Sequence, residues 1–187
     1  CDDGQRHLYV KDLTIAHVRA WEWQFVDELC WRRKAPPGRW PNRLRNDWEP
    51  VFHFDRGGSK VRHEGVSYES DHVPSGERKR VDHMGGHWNM TTECAPGMAH
   101  AGNVVDARGS GAGDGHTAAF PVGLPEFFIK AFSDAGDVIV DPFLGSGSTL
   151  IAAAKTARVC RGFEISPRYC DVIRRRWTRF ALAAGID

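Results

Sequence analysis

Apolar residues gather towards the two ends of this chain and thin out between them. Near the start, Asp12 or Thr14 can cap a helix reaching about Trp23, and Phe25-Val-Asp-Glu-Leu-Cys-Trp31 reads as a strand. A polar, proline-marked connection runs from Arg32 to Arg45, and Val51-Phe-His-Phe54 then returns as the antiparallel partner of a hairpin. Residues 56–115 hold few apolar runs and many glycines, ending in Gly109-Ser-Gly-Ala-Gly-Asp-Gly115, so a separate compact core is not expected there. Periodicity resumes in Leu124-Pro-Glu-Phe-Phe-Ile-Lys-Ala-Phe132, a helix with Pro125 in its first turn and Phe128 and Phe132 facing inward. Val138-Ile-Val140 fits a buried strand, and Leu150-Ile-Ala-Ala-Ala154 fits a helix packed on a sheet, capped by Ser148 or Thr149. A second strand spans Val159 to Ile165. After Ser166-Pro167, a cap and first position, a last helix runs to about Ala184. Its stripe of Tyr169, Val172, Ile173, Trp177 and Phe180 packs, and Arg174, Arg175, Arg176 and Arg179 read as a solvated face.

Composition sets the scale. With 187 residues, 41% of them hydrophobic, the chain suits one domain carrying an inserted module. A formal charge of +1 drives no general attraction to polyanions, so any nucleic-acid contact must come from local clusters. Arg32, Arg33, Lys34, Arg39, Arg43 and Arg45 share one loop with no acid among them and with Trp40 between them, and Arg78-Lys79-Arg80 forms a second cluster. Each reads either as a solvated face or as a phosphate contact, and Trp40 either stacks on a base or covers a sheet edge. Cysteines at 1, 30, 94, 160 and 170 are odd in number and lack Cys-x-x-Cys pairing, as expected of reduced thiols in the cytoplasm. No apolar run approaches the ~20 residues of a membrane span, and no stretch reads as a signal peptide. His83 and His87 have His-x-x-x-His spacing, with His63, His72, His100 and Cys94 in the same region, but no Cys-x-x-Cys or glutamate completes a zinc pattern, so no metal is expected.

The chemistry centres on Asp137-Val-Ile-Val-Asp-Pro-Phe-Leu-Gly-Ser-Gly-Ser-Thr149. Strand, glycine turn and helix N-terminus together form a cradle of backbone N–H groups at the positive end of a helix dipole. No lysine follows Gly147, which argues against a nucleoside triphosphate, and the dinucleotide glycine fingerprint is absent. Asp141 would repel a pyrophosphate and can accept hydrogen bonds from a ligand ammonium group. One helix later, the second strand ends in Glu164, where a ribose diol would lie in a βαβ unit. An amino-acid head at one strand and a ribose at the next describe S-adenosylmethionine.

Asp141-Pro-Phe-Leu-Gly-Ser-Gly-Ser-Thr149, followed by Gly162-Phe-Glu-Ile-Ser-Pro-Arg-Tyr169, resembles the cofactor motifs of the amino-directed DNA methyltransferases, which modify adenine or cytosine on the exocyclic nitrogen. His116-Thr-Ala-Ala-Phe-Pro121 resembles the additional cofactor motif that precedes the aspartate strand in their circularly permuted beta class. The resemblance implies an α/β, Rossmann-like methyltransferase sheet. It implies a cofactor site of Phe120, Pro121, Asp141, Phe143, Gly145, Ser146, Gly147, Ser148, Thr149, Glu164, Ile165 and Ser166, with Phe120 and Ile165 along the adenine. Residues 1–55 match the family's late strands through Trp31, Lys34, Trp48-Glu49 and Val51 to Phe54. Residues 56–115 then take the place of the target-recognition insertion, and 116–187 form the cofactor half. Double-stranded DNA is the implied partner, met by Arg32, Arg33, Lys34, Arg39, Arg43, Arg78, Lys79 and Arg80. Whether the protein forms a homodimer stays open.

Family members hold the target amine with an acceptor-Pro-Pro-aromatic motif. Pro36-Pro37 lies between Ala35 and Gly38 and supplies neither acceptor nor aromatic, so no catalytic residue is assigned. In the permuted order that motif belongs upstream of residue 1. A chain beginning at Cys1 is therefore expected to be the C-terminal two-thirds of an enzyme, with an open sheet edge where the missing N-terminal strands belong.

Overall fold

The computed structural model describes residues 8–33, 44, 46–71, 78–81, 87–90, 97–107 and 120–186. Helix α1 (Tyr9–Arg19) starts ahead of the expected caps and stops short of Trp23. Asp12 and Thr14 lie inside it. Thr14 spends its hydroxyl on the Val10 carbonyl at 2.8 Å, while Asp12 in the first turn and Arg19 in the last match the helix dipole. The chain leaves the helix through Glu22 at φ 58°, which reverses it into β1 (Gln24–Arg32).

Strand β1 pairs antiparallel with β2 (Trp48–Asp55) from Gln24 opposite Asp55 to Arg32 opposite Trp48, with an irregularity between Phe25 and Asp27. The expected hairpin is therefore present, and its return strand begins three residues early. On its other side β1 takes a parallel partner that the sequence pattern did not indicate, the two-residue β7 (Val104–Val105), giving the order β2-β1-β7. Between the hairpin and residue 123 also lie α2 (His63–Val66), β3 (Tyr68–Glu69), β4 (Arg78–Val81), β5 (His87–Met90) and β6 (Met98–Ala99), the strands joined as the small antiparallel ladders β3-β6 and β4-β5.

Helix α3 (Gly123–Phe132) joins the two ends of the chain. Leu124 enters a cluster with Leu29, Trp31 and Val105, against which Phe127 and Phe128 also pack. Ile129, further along the helix, enters a second cluster with Ala152 and Ala153 of α4 (Ser148–Lys155). Fully burying a leucine or isoleucine stabilises by roughly 1.5–3 kcal/mol, so this helix fixes the hairpin relative to α4. The deepest positions are Leu124, Ile129 and Ala131; Phe128 and Phe132, expected to point inward, are only half-buried. Glu126 adds a polar clasp, accepting Lys130 at 2.7 Å and Lys155 of α4 at 2.5 Å. Arg62 anchors the start of α2 to the end of α3 through a two-pronged pair with Asp134, at 2.6 and 2.5 Å.

Strand β8 (Val138–Asp141) runs parallel to β9 (Val159–Gly162), with Asp141 level with Gly162, and α4 makes the crossover. This is the expected βαβ unit, with two corrections. The second strand, expected to run to Ile165, stops at Gly162, so Glu164 and Ile165 lie just beyond it. Val138 and Val140 are 58% and 63% exposed, and only Ile139 meets the second cluster, so β8 is covered on one face and not fully buried. Three β-branched residues in a row do not distinguish a two-sided from a one-sided strand. Helix α5 (Pro167–Ala184) has Pro167 at its first position and ends, as expected, where Gly185 turns left-handed at φ 64°.

Candidate functional site

The carboxyl ends of β8 and β9 and the first turn of α4 converge on one loop, residues 141–148. Asp141 Oδ1 accepts the Phe143 N–H at 2.9 Å, which bends the chain out of the strand. The loop is then pinned by Leu144 N–H to the Phe163 carbonyl at 2.8 Å and by Gly147 N–H to the Leu144 carbonyl at 2.9 Å. Gly147 occupies the N-cap of α4 at φ 85°, a left-handed position that disfavours side chains. Ser148 and Thr149, expected as caps, lie inside the helix and make no cap. Ser148, only 2% exposed, donates instead to the Phe120 carbonyl at 2.9 Å. That bond brings Phe120 and the buried Pro121 to the turn from about 28 residues up the chain.

Glu164, two residues past the end of β9, holds two backbone groups. One carboxylate oxygen accepts the Gly145 N–H at 2.8 Å and the other accepts the Ser166 N–H at 2.7 Å. Each oxygen keeps a lone pair for a further donor. Ser166 stands at the start of α5 in extended conformation, but its side chain makes no cap bond. Phe143 and Ile165 are 86% and 98% exposed and flank the acids with apolar surface. Ser146, Ser148 and Thr149 are buried, so they shape the turn from beneath. Phe120, Pro121, the residues from 141 to 149, and Glu164 to Ser166 therefore meet in one place.

One residue of this site does not follow the sequence pattern. Arg176, expected on a solvated face, points into the turn and donates to the Ser146 carbonyl at 2.6 Å and hydroxyl at 2.7 Å. A signal for it exists: 169, 172, 173, 176, 177 and 180 form one continuous helical stripe, and Arg176 is the charge lying on it.

Of the basic loop, Arg32 is exposed at the end of β1, whereas Arg33 pairs with Glu49 and lies 5.7 Å over the Trp31 ring. Lys34, Arg39, Trp40, Arg43 and Arg45 lie outside the described residues, and Arg78, Lys79 and Arg80 are placed by backbone alone, as the body of β4. Among the described residues no three His, Cys, Asp or Glu side chains converge in a way that could hold a metal, and no helix is long and apolar enough to cross a membrane. His72, His83 and Cys94 lie outside those residues. A cavity of about 220 Å³ between the hairpin and α3, lined by Leu29, His53 and Phe127 among others, shares no residue with the cradle.

A parallel βαβ unit with one acid as the last residue of its first strand, a second two residues past the end of the other, and a glycine turn between them is the core of the Rossmann-like methyltransferase fold. A family model described as DNA methylase, covering N6 and N4 enzymes, matches residues 5–175, and the chain belongs to that family. The type II beta methyltransferase M.BslI of Bacillus sp. strain NEB-606 is 43% identical over 98% of this chain and 19% of its own length. The type II methyltransferase M.SmaI of Serratia marcescens is 29% identical over 84% of this chain and 47% of its own. Among solved structures, the cytosine-N4-specific PvuII DNA methyltransferase superposes with TM-score 0.64 at 19% identity, covering 92% of this chain and 57% of that one. The M1.HpyAVI–SAM complex gives TM-score 0.60 at 16% identity, covering 92% of this chain and 71% of that one. At such identities the likeness establishes the fold, which is the α/β fold expected from the sequence. The chain spans 19% of M.BslI and 25% of the orphan methyltransferase M.BamHII of Bacillus amyloliquefaciens.

Proposed function

We propose that this chain is the cofactor-binding part, with some of the DNA-binding surface, of an S-adenosylmethionine-dependent methyltransferase acting on the exocyclic amino group of adenine or cytosine in duplex DNA. The observation that carries this reading is the pair of carboxylates, Asp141 and Glu164, beside the glycine turn at the ends of paired parallel strands. The donor set fits the cofactor. Asp141 faces its ammonium group, Glu164 the ribose hydroxyls, and the exposed Ile165, with Phe120, the adenine. When bound, S-adenosylmethionine supplies an electrophilic methyl group on a sulfonium.

In this reading residues 56–115 form the target-recognition insertion between the late strands of residues 1–55 and the cofactor half of residues 116–187. Arg32, Lys34, Arg39, Arg43 and Arg78 to Arg80 meet phosphate or guanine edges. An exocyclic amine is a poor nucleophile while its lone pair is delocalised into the ring. It must be flipped out, stacked on an aromatic, and given a nearby acceptor that draws on its N–H bonds and lets the nitrogen pyramidalise. Pro36-Pro37 does not provide that acceptor. This favours a second reading, in which the 187 residues bind cofactor and DNA but need an acceptor-Pro-Pro-aromatic segment supplied in addition for catalysis.

Calorimetric titration with S-adenosylmethionine tests the central claim, and absence of binding to the folded chain would defeat it. Methyl transfer to duplex DNA compared with RNA, once the acceptor segment is supplied, separates DNA modification from the same fold used on RNA.

A further inference from the structure

Helix α5 carries four arginines that behave in two ways. Arg174 pairs with Asp171 on the surface, and Arg175 and Arg179 are exposed. Arg176 turns the other way. Its Nη1 donates to the Ser146 carbonyl at 2.6 Å and to the Ser146 hydroxyl at 2.7 Å, and both of its terminal nitrogens lie 3.4 Å from the Ser148 hydroxyl. Ser148 in turn donates its proton to the Phe120 carbonyl, so a relay runs from a guanidinium through the turn to the upstream residues.

The peptide between Ser146 and Gly147 is thereby held at both ends. Its carbonyl is fixed by Arg176 and its N–H by the Leu144 carbonyl, and because a peptide is planar, fixing the two sets the whole unit. Ile173, one turn earlier on the same helix, closes the other side: a Cβ on Gly147 would lie 3.2 Å from its Cγ1. Thus α5 grips the turn through one apolar and one polar side chain. Gly145 N–H meanwhile rests on Glu164.

We propose that Arg176 is a positioning residue of the cofactor site, holding the glycine turn in its binding geometry before any ligand arrives. The inference rests on the function proposed above. A turn ordered in advance spares the ligand the entropy of ordering it, so removing the guanidinium weakens binding without removing any group that touches the ligand. Lysine is a poor substitute, because a single ammonium on a flexible stem cannot span the Ser146 and Ser148 acceptors as a planar fork does.

Calorimetry and amide hydrogen exchange on the full 187-residue chain test this, with S-adenosylhomocysteine as the probe. Arg176→Ala is expected to bind it roughly tenfold or more weakly, with faster exchange at residues 145–148 in the ligand-free protein. Arg176→Lys should recover only part of the loss, and Arg175→Ala should match the unaltered chain. An arginine that merely stabilised the fold would lower the unfolding temperature and leave the affinity of the folded protein unchanged. Equal affinity and equal exchange in a folded Arg176→Ala chain overturn the proposal. Should that variant not fold, Ser148→Ala cuts the relay to Phe120 and reads the same two quantities, with no change in either counting against the idea. If the unaltered chain binds no S-adenosylhomocysteine, the functional reading falls, while the exchange comparison still decides whether Arg176 orders the turn.

Discussion

Glu164 accepts the backbone N–H of Gly145 across 2.8 Å, joining the end of one parallel strand to the turn that follows the other. The carboxylate therefore serves the loop as well as any ligand. Glu164→Ala is expected to lose about 1–3 kcal/mol of S-adenosylmethionine affinity, since it would remove the proposed charge-assisted bond to the ribose together with the observed one to the turn. Glu164→Gln keeps one carbonyl acceptor and should lose less. Calorimetry giving equal affinities for Glu164→Ala and the unaltered chain would remove Glu164 from the site.

Gly147 stands at φ 85° with Ile173 already against the space a side chain would take. Gly147→Ala must bear left-handed backbone strain of roughly 1–2 kcal/mol and also push back Ile173. Thermal unfolding should show the loss directly. An unchanged unfolding temperature would mean that the turn relaxes freely and that α5 does not hold it.

The parts of this chain that can be read from sequence are those fixed by local signals. The hairpin follows from two apolar runs around a proline-marked loop, the βαβ unit from β-branched runs spaced by Leu150 to Ala154, and the end of α5 from Gly185. The pattern misleads where tertiary contacts override local preference. Ser148 is a good cap by type, but the Phe120 carbonyl takes its hydroxyl and leaves the N-cap to Gly147. Val104–Val105 is too short to carry a strand signal and exists through pairing with Cys30 and Trp31. For Arg176, its place on the apolar stripe is a better guide than its charge.

Acid should loosen the packing of α3 on α4. Burial raises the Glu126 carboxyl, but hydrogen bonds from Lys130 and Lys155 outweigh it and hold the group below its ordinary 4.5. A carboxyl depressed in the folded state stabilises fully above its unfolded value, and that contribution fades as pH falls through the folded one. Glu126→Gln should therefore flatten the loss of stability below about pH 4.5, as measured by denaturant unfolding at several pH values. Parallel curves for the two proteins would show that the clasp contributes nothing.

Salt dependence can separate phosphate binding from a solvated face. Arg33 already shares its charge with Glu49, so Arg33→Ala alone should barely alter the slope of log affinity against log salt. Neutralising Arg32, Arg33 and Lys34 together should flatten it by about two units, roughly 0.9 for each phosphate that no longer meets a cation. An unaltered slope in the triple variant would return the loop to the solvent.

The 187-residue chain by itself is expected to bind S-adenosylmethionine and to transfer no methyl group. Catalysis depends on interactions stronger in the transition state than in the ground state, and a cradle confined to the cofactor makes none with the amine. In the function proposed above, the residues that line it, from Asp141 to Thr149 and from Glu164 to Ser166, serve the ligand's amino-acid and nucleoside ends. Pro36-Pro37, with Ala35 before it and Gly38 after it, offers no acceptor and no ring on which to stack a flipped base. Adding an acceptor-Pro-Pro-aromatic segment, fused or as a separate chain, should confer transfer to duplex DNA. Incorporation of tritiated methyl groups by the chain alone, above a control without protein, would mean that another of its residues serves the amine.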